Sequence, residues 1–133
     1  MNLELLSQLK AITKEEQEIL NGRKNIDSTI YNLKKSMVVD ASKLLAKGKL
    51  IQIRPHTRFI HFPKHTHNFV EVVYMCSGKT RHIVNQSEVL LQTGELLFLS
   101  QDTTQEIYPA NEDDVAVNFI ILPKFFDQSL HMI

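Results

Sequence analysis

The sequence has a single cysteine, Cys76, no tryptophan and no excess of either charge. One cysteine excludes an intramolecular disulfide and a cysteine-based zinc cluster. The 15 basic and 15 acidic residues cancel, which argues against nucleic-acid binding by this chain, because phosphate contacts need clustered Lys and Arg. No run approaches the ~18 apolar residues of a membrane span, and the start lacks a signal-peptide pattern. We therefore expect a cytoplasmic protein with no membrane contact.

The composition that is present is typical of one globular domain. The chain has 133 residues, of which 43% are hydrophobic and 23% are charged. A chain of this length buries enough surface to fold without a disulfide or a metal. The first fifty residues have a helical character: leucines recur at helix spacing, and Thr13 to Glu16 has the pattern of a capping box. Residues 23–39 fit a helix, although their last three residues also fit a strand.

From residue 50 onward the pattern is that of β-structure. Short runs rich in Val, Ile, Leu, Phe and Tyr are separated by turn-forming residues. The predicted strands span residues 50–54, 59–62, 69–76, 80–84, 89–91, 95–99, 106–108 and 115–122. About eight short strands with tight connections predict a β-sandwich or a small barrel. The residues from 125 to the end are too few to predict a further element.

Five of the six histidines lie between residues 56 and 82. His65, His67 and Glu71 are separated by even numbers of residues, so an extended segment turns all three to the same side. Phe69 and Met75 share that side. Two imidazoles and a carboxylate are the donor set of a metal site for Fe(II), Mn(II), Ni(II) or Zn(II).

A simpler interpretation stays open beside the metal or ligand site. Short histidine motifs arise often by chance, and both imidazoles can be solvated. The carboxylate of Glu71 can equally pair with Lys79 or Arg81 across a hairpin.

The same residues carry a resemblance to a known family. The stretch His65-x-His67-x3-Glu71-x6-Gly78 resembles the first motif of the cupin superfamily, and residues 94–99 resemble the start of the second. More specifically, residues 62–99 are similar to the cupin-like N-terminal sensor domain of AraC-family bacterial transcription regulators.

The resemblance covers about residues 50–122 and implies a fold. We expect a mainly β protein, a cupin-like jelly-roll barrel preceded by short N-terminal α-helices. In this division residues 1–49 pack on the barrel or on a partner, and residues 50–133 form the barrel. The chain ends before the C-terminal helices and DNA-binding units of such regulators, so we expect an isolated sensor domain, with a genuine short cupin as the other interpretation.

The chain departs from the cupin pattern at informative positions. Phe59 stands where the first motif normally opens with glycine, and the fourth metal ligand, usually histidine, corresponds to Gln105. An amide oxygen is a weaker ligand than imidazole for these metals. Beside the three first-motif residues, the resemblance therefore implies a pocket in which Gln105 faces them and His82, on the adjacent strand, is a further ligand-binding group.

Three functions are consistent with these observations. The first is a non-enzymatic small-molecule-sensing and dimerisation domain of a transcription regulator. Its ligand would be a small polar molecule such as a sugar, it would form a homodimer, and it would reach DNA only through a C-terminal domain outside this chain. The second is a small metal-dependent cupin enzyme, a dioxygenase or an isomerase. The third is a dimerisation module with a vestigial pocket.

Three other features have structural interpretations. Cys76, at the end of an apolar strand, is expected to be a buried hydrophobe rather than a reactive thiol. Tyr74 is expected on the barrel exterior, under the N-terminal helices. Residues 54–58, which hold two arginines and a histidine, are expected to form a solvated loop.

Overall fold

The computed structural model describes residues 2–31 and 37–130. Four α-helices are present in this part of the chain: α1 (Leu3–Lys10), α2 (Lys14–Leu20), α3 (Ser28–Tyr31) and α4 (Pro123–Leu130). A short 3-10 helix covers Ala41–Lys43. None of the described helices is long and apolar enough to cross a membrane.

The strands form two sheets that pack face to face. The strands are β1 (Val38–Val39), β2 (Ile51–Pro55), β3 (Phe62–His67), β4 (Val70–Ser77), β5 (Lys79–Val84), β6 (Ser87–Gln92), β7 (Leu96–Leu99), β8 (Gln105–Ile107) and β9 (Val115–Ile121). One sheet has the order β1-β3-β8-β5-β6, and the other has the order β2-β9-β4-β7. The crossed strand order is that of a jelly roll, as expected.

The core lies between the two sheets. One cluster is built around Phe62, Phe69 and Ile120, and a second around Met75 and Leu99. The strands are short runs rich in Val, Ile, Leu, Phe and Tyr with turn-forming residues between most of them, which is why the sequence pattern located most of them.

One predicted strand is wrong. Residues 59–62 do not form a strand, and β3 begins only at Phe62. Phe59 has a φ angle of 73°, a left-handed conformation that no extended strand contains. The cupin pattern places glycine at this position, and the backbone keeps the conformation that glycine favours although the residue is phenylalanine.

The C-terminal expectation is also corrected. Residues after 122 form α4 (Pro123–Leu130), although they seemed too few for another element. Proline at the first helical position has the φ angle that a helix start requires, and this signal was present in the sequence.

The N-terminal helices pack on the barrel of their own chain. The Thr13 hydroxyl accepts from the Glu16 amide at 3.1 Å, and the Glu16 carboxylate accepts from the Thr13 amide at 3.1 Å, so the capping box that begins α2 is confirmed. Leu6 and Leu9 of α1 pack, together with Tyr74, against the cluster of Cys76, Val115 and Val117 on the second sheet. Of the ambiguous residues 23–39, α3 and β1 are the elements described, and Leu33 lies outside the described residues.

Candidate ligand-binding site

A cavity of about 50 Å³ lies between the two sheets. Among the residues that line it are His65, His67, Glu71 and Gln105, which the sequence placed together. The first three are all buried, although they do not lie on one extended segment. They reach the cavity from two sheets, because the chain crosses from β3 to β4 between His67 and Glu71. A single buried water needs roughly 10–15 Å³ on this measure, so the cavity has room for more than one water or for a small ligand.

Both motif histidines are oriented by backbone carbonyls. Nδ1 of His67 lies 2.5 Å from the carbonyl oxygen of Phe69, and Nδ1 of His65 lies 2.7 Å from that of Pro63. Since a carbonyl only accepts, each Nδ1 carries the proton and each Nε2 keeps its lone pair. Burial lowers the pKa of His65 to about 4, so this ring is neutral at pH 7.

Glu71 and Gln105 contact each other at the cavity wall. The Gln105 amide nitrogen donates to Oε1 of Glu71 at 3.4 Å. Burial raises the pKa of Glu71, while the neighbouring side chains of His67, Gln105 and Arg54 oppose this shift. The pairing of Glu71 with Lys79 or Arg81 is excluded, because Arg81 instead contacts Glu88 at 2.5 Å and the Glu71 side chain is buried.

Four buried polar atoms at the cavity have no hydrogen-bond partner in the described structure. They are Nε2 of His67, Oε1 of Gln105, Oδ1 of Asn118 and Nε2 of His56. An unsatisfied buried polar atom costs roughly 1–3 kcal/mol, and four of them around one cavity indicate a place for a molecule that hydrogen-bonds. The first three accept hydrogen bonds, so that molecule has to supply donors.

Asn118 and His56 were missed by the sequence reasoning. Asn118 has the parity of the inward-facing residues Ala116 and Ile120 on β9, so a polar residue at an inward position of an apolar strand was the available signal. His56 follows β2, and its backbone amide donates to the Ala116 carbonyl at 3.0 Å. Burial lowers its pKa to about 4, and the nearby His82 adds to this shift.

His82 is buried but is not among the residues that line the cavity. Its Nε2 atom lies 2.8 Å from the hydroxyl of Thr80, and its ring centroid lies 6.3 Å from that of His56. Burial lowers the pKa of His82 to about 4, and the side chain of Gln105 partly opposes this shift. The structure therefore places His82 next to the pocket residues rather than in the pocket.

The expectation of a solvated loop at residues 54–58 is wrong. Arg58 is 2% exposed and Glu16 is 1% exposed, and the Arg58 Nε atom contacts the Glu16 carboxylate at 2.8 Å. The guanidinium also donates to the carbonyls of Lys10 and Glu112. This buried ion pair joins the N-terminal helices to the barrel.

Tyr31 closes one side of the cavity. Its ring lines the cavity and meets the Phe62 ring edge-on at 4.9 Å. Its hydroxyl lies 2.7 Å from Oε2 of Glu15 and 2.7 Å from the Thr57 hydroxyl. The expectations for the two strand residues hold: Cys76 is buried, and Tyr74 packs beneath α1.

The cavity residues do not form a metal centre in this conformation. Within residues 2–31 and 37–130, no three His, Cys, Asp or Glu side chains are placed to hold one ion. The raised pKa of Glu71 favours its neutral form, which is a poorer metal ligand than a carboxylate. Metal binding by His65, His67 and Glu71 stays a prediction.

Comparisons with known proteins agree with this geometry. The family model described as "AraC-like ligand binding domain" matches residues 48–131, which is more than half of the chain. No curated protein sequence matches.

Solved structures show the same fold. KdgF from a Halomonas species is similar over 59% of this chain and 75% of its own, with 12% identity and a TM-score of 0.50. An RmlC-like cupin from Shewanella frigidimarina is similar over 58% of this chain and 71% of its own, with 14% identity and a TM-score of 0.46.

A predicted oxalate decarboxylase from Thermotoga maritima is similar over 56% of this chain and 66% of its own, with 20% identity and a TM-score of 0.45. The chain spans 50% and 66% of the length of two other solved structures. At these identities a likeness to a solved structure concerns the fold alone.

Proposed function

Because this chain belongs to the family of AraC-like ligand binding domains, we propose that it is the small-molecule-sensing domain of a bacterial transcription regulator. His65, His67, Glu71 and Gln105 hold the ligand inside the barrel. The observation that carries the proposal is the set of unpaired buried polar atoms around the cavity. A domain that served only for dimerisation would have no need to keep such atoms, which destabilise the fold.

The chemistry of the cavity supports a small polar ligand. Nε2 of His67, Oε1 of Gln105 and the lone pair on Nε2 of His65 accept hydrogen bonds, and the aromatic ring of Phe62 lies against the His65 ring at 4.2 Å. Hydroxyl groups supply the donors that these atoms lack. In this proposal His82 is a positioning residue, because it lies beside Gln105 rather than in the cavity.

Sensing requires that the ligand bind two states of the domain unequally. In the proposed regulator, occupancy of the cavity changes a contact of the homodimer, and the effect reaches DNA through a domain outside this chain. Sedimentation analysis with and without ligand tests the homodimer. A ligand that binds tightly and leaves both the oligomeric state and the structure unchanged would contradict a sensing role.

The proposal is tested by a thermal-shift screen of sugars and other small polar metabolites, followed by calorimetric titration of each hit. We expect one compound to raise the melting temperature in a concentration-dependent manner. We expect Gln105→Leu to weaken its binding about tenfold or more, because a buried acceptor is lost. The matched control is Gln101→Leu, which changes an exposed glutamine and leaves the affinity unchanged.

The transition-metal content of the purified protein distinguishes the enzyme hypothesis from this proposal. In protein purified without added metal, we expect transition metal well below one ion per chain. One ion per chain that is lost in the His65→Ala, His67→Ala double variant, but kept in His61→Ala, would instead support the metal-dependent cupin. His61 is a suitable control because its side chain is exposed and contacts Glu106 at 2.6 Å.

A further inference from the structure

The cavity has one positively charged residue in its wall. Arg54, on β2, lies opposite Asn118 on β9, and residues paired in this way turn their side chains to the same face of the sheet. Both residues line the cavity. The guanidinium of Arg54 lies 5.5 Å from the centre of the Tyr31 ring. It forms no ion pair with any described residue.

A second cavity of about 200 Å³ shares residues 54–57 with the first as part of its lining. Arg54 and His56 line both cavities, and Lys14 of α2 lines the second one. Lys14 also has no ion pair within the described part of the chain. Arg54 in the shared wall and Lys14 in the second cavity are thus two cations without an ion pair to a described residue.

Two acidic residues lie near Arg54, and each of them accepts hydrogen bonds. Glu15 lines the second cavity, but its carboxylate already accepts hydrogen bonds from the hydroxyls of Tyr31 and Thr57 at 2.7 and 3.0 Å. Glu71, in the wall of the first cavity, accepts a hydrogen bond from the Gln105 amide at 3.4 Å. The shared wall therefore holds a guanidinium that forms no ion pair with a described residue, and the unpaired atoms of His67, Gln105 and Asn118 accept hydrogen bonds.

We propose that the ligand is an anionic polyhydroxyl compound, a sugar derivative that carries a carboxylate or a phosphate. Its hydroxyls donate to His67, Gln105 and Asn118, and its anionic group binds the Arg54 guanidinium, with Lys14 on the outer side. Arginine suits this position because its planar donors bind carboxylate and phosphate in pairs. This inference rests on the proposed function and names the class of ligand for the same cavity.

The test compares matched compounds on the full chain. Thermal shift and calorimetric titration are made with neutral hexoses, with the corresponding uronic acids and 6-phosphates, and with acetate and inorganic phosphate alone. We expect one acidic sugar to bind at least tenfold more tightly than its neutral parent. The carboxylate and phosphate series show which anion is recognised.

Substitutions of Arg54 and Lys14 test whether these residues cause the preference for the acidic sugar. We expect Arg54→Gln to remove the tenfold preference and Arg54→Lys to keep part of it. We expect Lys14→Gln, at an exposed site, to weaken binding of the acidic compound about threefold. The control is Arg81→Gln, an exposed arginine on β5, which changes neither affinity. Circular dichroism verifies that each variant is folded.

Four results overturn the inference. Equal binding of neutral and acidic members, or a preference that survives in Arg54→Gln, removes the assigned anion site. Binding of a small molecule that is not an acidic sugar derivative also overturns it but leaves the proposed function standing. No binding by any small molecule in the wider screen overturns both.

Discussion

The ion pair between Arg58 and Glu16 is the single contact that most directly fixes the N-terminal helices. Both side chains are almost fully buried, and Glu16 also accepts from the Arg58 backbone amide at 2.8 Å. Burial alone would raise the pKa of Glu16, but the hydrogen bonds from Arg58 and Thr13 outweigh it and the pKa is lowered. The stabilisation by this carboxylate is therefore present above its unfolded pKa of about 4.5 and is lost as the pH falls below that value.

We predict that Arg58→Met lowers the free energy of unfolding by about 3–5 kcal/mol, because it leaves a buried carboxylate without its partner. Urea denaturation at pH 7 measures this change. The control is Arg81→Met, which removes an exposed ion pair with Glu88 and should have a much smaller effect. Equal losses in the two variants would show that the buried pair has no special role.

The buried histidines His56 and His82 make the free energy of unfolding depend on pH between about 4 and 6.5. Burial holds both pKa values near 4, against an ordinary value of 6.5. Between these values the unfolded chain binds more protons than the folded one, so stability increases as the pH rises from about 4 to 6.5. The raised pKa of Glu71 has the reverse effect: above the ordinary pKa of 4.5, this residue makes stability fall as the pH rises.

We predict that His82→Gln reduces the slope of unfolding free energy against pH between pH 4.5 and 6, by up to about 1.4 kcal/mol per pH unit. Urea midpoints at several pH values give the slope, and His61→Gln is the control because this histidine is exposed. A slope that is unchanged in His82→Gln would mean that His82 is protonated in the folded protein.

At the scale of the elements, the turn between β4 and β5 depends on a close approach to the loop before β9. Gly78 has a φ angle of 72°, and a Cβ atom there would lie 2.2 Å from Oδ1 of Asp114 and 2.9 Å from the Asp113 carbonyl oxygen. The Asp114 carboxylate is held in place by the amides of Lys79 and Asn111 at 3.0 and 2.8 Å. Any side chain at residue 78 has to displace this loop.

We predict that Gly78→Ala destabilises the protein clearly more than Gly94→Ala. Gly94 has a similar φ angle of 86° but open space around its Cβ position. Its replacement therefore costs only the left-handed strain of about 1–2 kcal/mol, whereas Gly78→Ala adds a steric cost of about 1–3 kcal/mol. Thermal unfolding of both variants measures the difference, and equal melting temperatures would contradict the close approach.

The elements also show which parts of the fold the sequence could predict. Seven of the eight predicted strands were located correctly because short apolar runs separated by turn-forming residues are a local signal. Phe59 misled the prediction, since an aromatic residue favours a strand by propensity whereas its backbone is left-handed. The helix after Leu122 was missed because eight residues carry little periodicity.

At the scale of the whole molecule, contacts between residues far apart in the chain could not be predicted from the sequence. Arg58 and Glu16 are separated by 42 positions, and nothing local indicates that the two charges meet. For the same reason Tyr31 and Arg54 were not expected in the cavity wall. His65, His67 and Glu71 were predictable because they lie close in sequence and share one parity, and Gln105 was found through the family resemblance.

A crystal structure of the protein with a ligand from the screen, with anomalous data collected at transition-metal absorption edges, tests the central claim most directly. The account predicts an organic molecule in the cavity that donates hydrogen bonds to Nε2 of His67, Oε1 of Gln105 and Oδ1 of Asn118, with no anomalous peak beside it. A metal ion bound by His65, His67 and Glu71, or a ligand bound outside the barrel while these acceptors stay unpaired, would contradict it.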